Sequence, residues 1–289
     1  MNIKIMMSGM AILAVIMIGF NCSDTPENVI MSSDGVEISF DDRGRGETSI
    51  MFVHGWANNK TIWDAQMSYF AKKYRVVAID LPAFGKSGHN RENWTMASFG
   101  EDVITLIEKL GLNQVVLVGF SMGTTVVIEA ANRLTEQISG VVLVDDLHSV
   151  EIKIQPPMES FLDSVFMDLV TNPTNEKLVA GGFYKKNHEN SYKRVLAMLE
   201  DPSRVGWQES LHGYIQWINE DCTESLKELK VPVIAINSEN QPTDVEAFRQ
   251  YVPSFEAHII TDAGHVLMWD APEEFNRLLE ESINKFAGN

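Results

Sequence analysis

The sequence predicts an α/β protein built on a mostly parallel, doubly wound sheet that is interrupted by a helical segment. Short apolar runs alternate with amphipathic helical patterns along the chain, as in parallel βαβ units. The exception lies between residues 150 and 227, where aromatic residues and helix formers dominate and buried-strand runs are absent. With 289 residues, of which 45% are hydrophobic, the chain is long enough for one such domain with an insertion.

The predicted strands are short runs rich in apolar, β-branched residues. An alternating run at Val36–Phe40 predicts an edge strand. Buried strands are predicted at 49–53, 75–79, 114–118, 140–144, 231–236 and 257–260, and helices at 61–73, 96–110, 124–131 and 275–286. Residues 36–149 and 228–289 therefore form the predicted core, and residues 150–227 a helical cap over the sheet.

The N-terminus carries the pattern of an export signal. A short basic start precedes an almost purely apolar run at Ile5–Phe20, which is short for a membrane-spanning helix. Cys22 follows, and the pattern resembles a bacterial lipoprotein signal, in which the cysteine is lipidated and begins the mature chain. Residues 1–21 are thus expected to be a signal peptide and residues 22–35 a tether.

This resemblance implies an exported protein that is anchored to a membrane through lipid on Cys22. Phe20 and Asn21 depart from the small residues usual before such a cysteine, so plain secretion and a retained membrane anchor are the alternatives. The other cysteine is Cys222, which has no partner for a disulfide if Cys22 is lipidated.

The composition argues against several classes of partner. The formal net charge of −17 leaves no basic stripe for nucleic acid and disfavours polybasic attachment to anionic lipid. No Cys/His cluster has the spacing of metal ligands, so neither a metal nor another cofactor is expected.

The segment Gly119-Phe120-Ser121-Met122-Gly123 carries the strongest chemical signal. It joins a predicted strand to a predicted helix, and a G-x-S-x-G in that setting is a nucleophile elbow. Its turn is strained and exposes the serine hydroxyl at the top of the sheet. Ser121 is therefore the candidate nucleophile.

A serine hydroxyl needs a base at neutral pH, and His265 is the candidate. It follows the last predicted strand, in a loop that reaches the carboxyl edge of the sheet where Ser121 emerges. Its position also completes the chain order of serine, acid and histidine that this architecture requires.

Four motifs together resemble the α/β-hydrolase superfamily. They are His54-Gly55-Trp56, the loop Asp80–Gly88, the elbow and Gly264-His265. The layout is similar to that of cap-bearing esterases, epoxide hydrolases and haloalkane dehalogenases. The last two use an aspartate nucleophile, so Ser121 implies ester, thioester, lactone or related acyl chemistry.

The same resemblance implies an oxyanion hole made of two backbone N–H groups. One belongs to Met122, at the N-terminus of the elbow helix, where the helix dipole favours an anion. The other belongs to Trp56, because Gly55 lets this loop approach closely. His54 is expected to be a structural hydrogen-bonding residue.

The acid of the expected triad departs from the usual pattern. The customary position, a few residues after the strand that ends at Ile236, holds the neutral Gln241. Some superfamily members place the acid after the preceding core strand, and here that strand is followed by Asp145. We assign the acid to Asp145. The alternative carboxylates are Glu239, Asp146 and Asp244.

These residues predict a serine hydrolase that cleaves a small-molecule carboxylic ester or related acyl bond through an acyl-enzyme, with Ser121, His265 and Asp145 as its triad. One alternative is a cofactor-free haloperoxidase, perhydrolase or C–C bond hydrolase on the same triad. A non-catalytic ligand-binding protein on this fold is the alternative of another class, and Gln241 in the acid position favours it.

Overall fold

The structure is a computed structural model that describes residues 28–151, 153–172, 174, 177, 189–199 and 206–287. The expected signal peptide, the first part of the tether and Cys22 lie outside the described residues, so these expectations stay predictions. Within the described part of the chain, none of the helices combines the length and the apolar character needed to cross a membrane.

The described residues form one eight-stranded sheet. Its strands are β1 (Asn28–Met31), β2 (Glu37–Arg43), β3 (Ser49–Val53), β4 (Arg75–Ile79), β5 (Val115–Phe120), β6 (Ile138–Val144), β7 (Val233–Ser238) and β8 (Glu256–Ile260). The spatial order is β1-β2-β4-β3-β5-β6-β7-β8. Strands β1 and β2 are antiparallel to their neighbours and the other strands are parallel, which confirms the predicted sheet.

The N-terminal edge of the sheet differs from the sequence prediction. The strand predicted at the edge, Val36–Phe40, is part of β2 and is not the edge strand, because β1 pairs with it in the register Asn28↔Phe40. Strand β1 thus lies in the stretch assigned to the tether. It holds three consecutive apolar residues, but Val29 and Met31 are exposed and only Ile30 packs against the core, so this short run has neither the alternation of an edge strand nor the length of a buried one. Backbone pairing alone defines it.

The helices connect and cover these strands. They are α1 (Asp64–Phe70), α2 (Met96–Leu110), α3 (Gly123–Arg133), α4 (Pro156–Thr171), α5 (Glu189–Leu199), α6 (Trp207–Glu220), α7 (Cys222–Glu228), α8 (Val245–Arg249), α9 (Leu267–Asp270) and α10 (Pro272–Ala287). Helices α2 and α3 pack together, as do α1 and α10. The inserted segment contributes α4 to α6 and most of α7, and its described residues contain no strand.

The central strands β3 and β5 are buried along their whole length. Parallel strands that are covered on both faces have this continuous apolar character. The loops at the carboxyl ends of β3, β5, β6 and β8 converge on one edge of the sheet, since these strands run in the same direction.

The loop after β4 is folded around a buried carboxylate. Asp80 is 1% exposed and accepts hydrogen bonds from the backbone N–H of Lys60 (2.6 Å), the ammonium of Lys60 (2.6 Å) and the N–H of Lys86 (3.0 Å). Gly85 has a φ of +55°, and a Cβ there would lie 2.5 Å from Cγ of Asp80. The next residue of this loop, Leu81, donates its N–H to Nε2 of His54 (2.9 Å). His54 and Lys60 both lie in the segment that follows β3, so Asp80 and Leu81 together connect that segment to the loop after β4.

We expect Lys60→Met to lower the free energy of unfolding by about 3–5 kcal/mol, because it leaves the Asp80 charge buried without its cation. Urea denaturation followed by circular dichroism measures this change. Lys73→Met is the matched control, since the Lys73 and Glu280 side chains are 57% and 32% exposed, against 10% and 1% for Lys60 and Asp80, and its stability should stay close to that of the wild type. Equal effects of the two substitutions would contradict the prediction.

Candidate active site

Ser121 occupies a strained turn between β5 and α3. Its φ is +50°, in the left-handed region that residues with a side chain rarely adopt. Such a residue costs roughly 1–3 kcal/mol and persists where its surroundings impose the conformation. Here the Ser121 N–H donates to the carbonyl of Val144 (2.9 Å), and the Ser121 carbonyl accepts the N–H of Thr124 (2.8 Å).

Three glycines allow the backbone segments around this turn to pack directly against one another. A Cβ on Gly119 would lie 2.3 Å from the carbonyl oxygen of Gly123, and one on Gly123 would lie 2.6 Å from the carbonyl oxygen of His54. A Cβ on Gly55 would lie 2.8 Å from Cβ of Ser121. No side chain fits at these contacts. The loop that carries Trp56 therefore lies against Ser121.

The structure brings His265 and Asp145 together. Nδ1 of His265 lies 2.7 Å from Oδ2 of Asp145, and the imidazole ring packs against Phe120, with 4.7 Å between ring centroids. Phe120 directly precedes Ser121, so the imidazole lies beside the elbow. Because a carboxylate only accepts hydrogen bonds, Nδ1 carries the proton of this contact. In the neutral ring Nε2 is then the basic nitrogen.

Asp145 is buried, at 5% exposure, and both of its oxygens have partners. Oδ2 meets His265, and Oδ1 accepts the backbone N–H of Ser238 at 2.5 Å. Burial by itself would raise the pKa of Asp145, but the hydrogen bond and charge of His265 and the hydrogen bonds from Ser238 lower it. The resulting pKa lies below the ordinary value of an aspartate, so the carboxyl is ionised at neutral pH.

Asp146 points away from His265 despite its place next to Asp145. Its oxygens meet the hydroxyls of Tyr214 on α6 (2.9 and 3.0 Å) and of Thr124 on α3 (2.9 Å). The side chain that reaches Nδ1 of His265 is that of Asp145.

The two candidate carboxylates after β7 accept hydrogen bonds from backbone N–H groups of other residues. Glu239 is exposed and accepts the N–H of Asp262 (2.9 Å). Asp244 caps α8 by accepting the N–H of Ala247 (3.0 Å). Gln241, at the customary acid position, is exposed.

His54 is fully buried and is bonded both to its own loop and to the loop after β4. Because Nε2 accepts the N–H of Leu81, Nδ1 carries the proton and donates to the carbonyl of Gly55 (2.7 Å). The structural role expected for His54 agrees with this arrangement.

An aromatic wall, made of Trp56, Phe84, Phe166 and Trp207, lies next to this loop. The Trp56 ring meets Phe166 and Trp207 edge-on, with centroids 5.4 and 5.8 Å away, and Trp207 stacks on Phe84 at 5.9 Å. The Trp56 indole N–H donates to the carbonyl of Trp207 (2.7 Å), and the Trp207 indole N–H donates to Ala83 (3.0 Å). Core and cap thus share this wall.

Met122 lies at the N-terminus of α3 with helical φ and ψ of −46° and −33°. The first N–H groups of a helix have no acceptor within the helix, and the helix dipole favours negative charge there. Met122 follows Ser121 in the chain, and the loop that carries Gly55 lies against Ser121.

Sequence reasoning missed two carboxylate contacts that adjoin the site. Asp270 accepts the N–H of Gly264 (2.8 Å) and the hydroxyl of Ser191 on α5 (2.7 Å). Asp146 accepts from Tyr214, which is 68 residues away in sequence. Contacts of this range leave no local pattern, and Tyr214 is noticeable in the sequence only as one of many aromatic residues of the cap.

The α/β-hydrolase class is defined by a mostly parallel sheet with a serine on a strained strand-to-helix turn and a histidine beyond the last strand. An inserted helical cap is a frequent addition to this fold, and the chain has each of these features. Residues 50–278 match the model of the Alpha/beta hydrolase family. The chain belongs to this family and is an α/β-hydrolase enzyme.

Relatives of known activity include esterases and haloperoxidases. The chain is 28% identical over 229 residues to a bifunctional esterase/perhydrolase of Acinetobacter calcoaceticus, covering 73% of this chain and 81% of that protein. It is 27% identical over 224 residues to a non-heme haloperoxidase of Rhodococcus erythropolis, again covering 73% and 81%. The solved structure of an esterase from Exiguobacterium antarcticum has the same fold, with a TM-score of 0.77 and 20% identity over 89% of this chain and 99% of that one.

We expect Gly55→Ala to slow the reaction of Ser121 with a fluorophosphonate and to lower the free energy of unfolding by about 1–3 kcal/mol, because the added methyl overlaps Cβ of Ser121. The labelling rate and a urea titration measure the two effects. Gly111→Ala is the control for the labelling rate: its φ of +60° makes the added methyl costly in stability, but a Cβ there meets nothing within 4 Å, so this variant should be labelled at the wild-type rate. A Gly55→Ala protein that labels at the wild-type rate would contradict this geometry.

Proposed function

We propose that this enzyme hydrolyses carboxylic esters of small molecules through an acyl-enzyme formed on Ser121. The observation that carries the proposal is the 2.7 Å contact between His265 and the buried Asp145, beside a serine held in a left-handed turn. The likeness to an esterase/perhydrolase supports the same chemistry.

In the proposed mechanism, Nε2 of His265 takes the proton of the Ser121 hydroxyl as Oγ attacks the ester carbonyl carbon. The N–H groups of Met122 and Trp56 stabilise the negative oxygen of the tetrahedral intermediate. The intermediate collapses and expels the alcohol, which receives the proton from His265. Water, deprotonated by His265, then attacks the acyl-enzyme. The acid is released as the bond to Ser121 breaks, and His265 returns the proton to Oγ of Ser121.

Asp145 orients the imidazole and stabilises the imidazolium that forms in each half of the reaction. Its lowered pKa keeps it charged at neutral pH, as this role demands. General-base assistance typically contributes about 10²–10⁴-fold, and a donor of the oxyanion hole about 10²–10³-fold.

The aromatic wall favours a substrate with an apolar acyl or alcohol group. Phe84 and Trp207 are buried, whereas Trp56 and Phe166 are partly exposed. The indole N–H of Trp56 is bonded to the Trp207 carbonyl, so the exposed part of the wall offers mainly apolar surface to a ligand. An enzyme that prefers long, charged esters would contradict this part of the proposal.

We expect a fluorophosphonate to label the wild type and not Ser121→Ala.

With p-nitrophenyl esters, Asp145→Asn should lose about 10⁴-fold in kcat, because the imidazole loses its orienting charge. Glu239→Gln is the matched control, since it neutralises an exposed carboxylate at the same sheet edge, and its kcat should stay within about twofold. Loss of rate in Glu239→Gln and not in Asp145→Asn would overturn the assignment of the acid.

A perhydrolase activity is the second candidate, and the name of the Acinetobacter calcoaceticus relative favours it. In that reaction hydrogen peroxide replaces water as the nucleophile that attacks the acyl-enzyme, and a peracid leaves. Adding peroxide and acetate to the enzyme and measuring halide oxidation distinguishes the two activities. Ester hydrolysis without peracid formation would rule out this candidate.

We also propose that the enzyme is exported and anchored to a membrane by lipid on Cys22, on the strength of the N-terminal sequence pattern. In a bacterial host fed a clickable fatty acid, the full chain should carry the label and fractionate with membranes. Cys22→Ser should lose both properties, whereas Cys222→Ser, which alters a buried thiol, should keep them. Labelling that survives Cys22→Ser would contradict the anchor.

A further inference from the structure

Asp146 connects the cap to the turn that carries Ser121. The hydroxyl of Tyr214, on cap helix α6, lies 2.9 Å from Oδ1 and 3.0 Å from Oδ2 of Asp146. The hydroxyl of Thr124, in the first turn of α3, lies 2.9 Å from the same Oδ2. One carboxylate thus joins a helix of the cap to the helix that begins at the elbow.

Thr124 in turn holds the backbone of Ser121. Its N–H donates to the Ser121 carbonyl at 2.8 Å, and its hydroxyl lies 2.7 Å from the same oxygen. The hydroxyl has one proton, which it donates either to Ser121 or to Asp146. Asp146 therefore shares with the Ser121 carbonyl a hydroxyl that contacts the strained residue directly, and a displaced Asp146 would change how that hydroxyl is oriented.

The backbone on both sides of Asp146 is also strained. Asp145 has a φ of +49° and Leu147 a φ of +51°, so two left-handed residues flank Asp146. Such conformations are held by their surroundings. An anchored Asp146 side chain restrains this segment, and with it the direction in which Asp145 points toward His265.

Tyr214 remains a hydrogen-bond donor across the working pH range. Burial raises the pKa of its hydroxyl, and the neighbouring charge of Asp146 raises it further. The contact is therefore a neutral hydroxyl bonded to a carboxylate, a stronger type of hydrogen bond than one between two neutral groups.

We propose that Tyr214 is a positioning residue for the triad, acting through Asp146 on the Ser121 turn and on Asp145. This inference rests on the proposed function, because it assigns the cap a part in the geometry of the same site. The cap then does more than cover the substrate, since its helix α6 helps to fix the positions of Ser121 and Asp145 relative to His265.

The other side of the site has a similar connection. Asp270 accepts the hydroxyl of Ser191, on cap helix α5, and the N–H of Gly264, the residue before His265. The cap is therefore bonded next to the histidine as well as next to the acid and the serine, which agrees with a role in positioning.

Tyr214→Phe tests the inference, because it removes the hydroxyl and keeps the ring. We expect kcat for a p-nitrophenyl ester to fall about tenfold and KM to change less than twofold, since a small misplacement of reacting groups lowers the rate without removing substrate contacts. Tyr251→Phe is the matched control. It removes another tyrosine-to-carboxylate hydrogen bond, to Glu151, outside the site, and should keep the wild-type kcat.

A second pair of variants separates positioning from stability. Thr124→Val should lower kcat as Tyr214→Phe does, and Thr124→Ser, which keeps the hydroxyl, should restore it. All variants are compared at a temperature where circular dichroism shows them folded. An unchanged kcat in folded Tyr214→Phe, or equal losses in Thr124→Val and Thr124→Ser, would overturn the inference.

The rate of fluorophosphonate labelling at Ser121 distinguishes failure of this inference from failure of the proposed function. If wild type is labelled and Tyr214→Phe is labelled at the same rate, the positioning role is wrong and the serine hydrolase stands. If wild type is labelled but does not hydrolyse esters, the slower labelling expected of Tyr214→Phe still supports positioning. A wild type that is never labelled refutes both.

Discussion

The close packing of three backbone segments around Ser121 is the constraint on which the site depends. The end of β5, the start of α3 and the loop after β3 approach so closely that Gly119, Gly123 and Gly55 have no room for a side chain. This packing imposes the left-handed conformation of Ser121, and the helix N-terminus and the Trp56 loop lie on either side of it. The proposed nucleophile and the proposed oxyanion donors therefore share one structural cause.

The position of the proposed acid follows from the order of the strands. Strands β6 and β7 are parallel neighbours with the pairing Val144↔Ile236, so their carboxyl ends reach the same edge of the sheet. The Asp145 N–H donates to the Ile236 carbonyl (3.1 Å), and its carboxylate accepts the N–H of Ser238. An acid after β6 can therefore meet the same histidine as an acid after β7. The customary acid position after β7 then needs no carboxylate, and in this chain it holds the neutral Gln241.

Two adjacent carboxylates have different surroundings because the backbone turns sharply between them. The left-handed φ of Asp145 and Leu147 directs Asp145 toward His265 and Asp146 toward Thr124 and the cap. Core and cap are joined here, at Asp270 and in the aromatic wall formed by Trp56 and Trp207. The insertion is thus bonded to the core at the residues that surround the proposed site.

By itself, the sequence determined the α/β architecture, the helical insertion and the two positions where the proposed serine and histidine lie, because apolar periodicity and the glycines of the elbow are local signals. It also assigned the proposed acid to Asp145 but left three other carboxylates as alternatives. The tertiary structure decided that Asp145 contacts His265 while Asp146 contacts Thr124 and Tyr214, because the backbone turns sharply between the two. The edge strand β1 was not predicted, because its apolar run of three residues is short and mostly exposed, and its pairing with β2 is formed only in the folded chain. The contacts of Tyr214 and Ser191 with core carboxylates depend on where the cap folds back onto the sheet, and residues so distant in sequence meet only once the chain has folded.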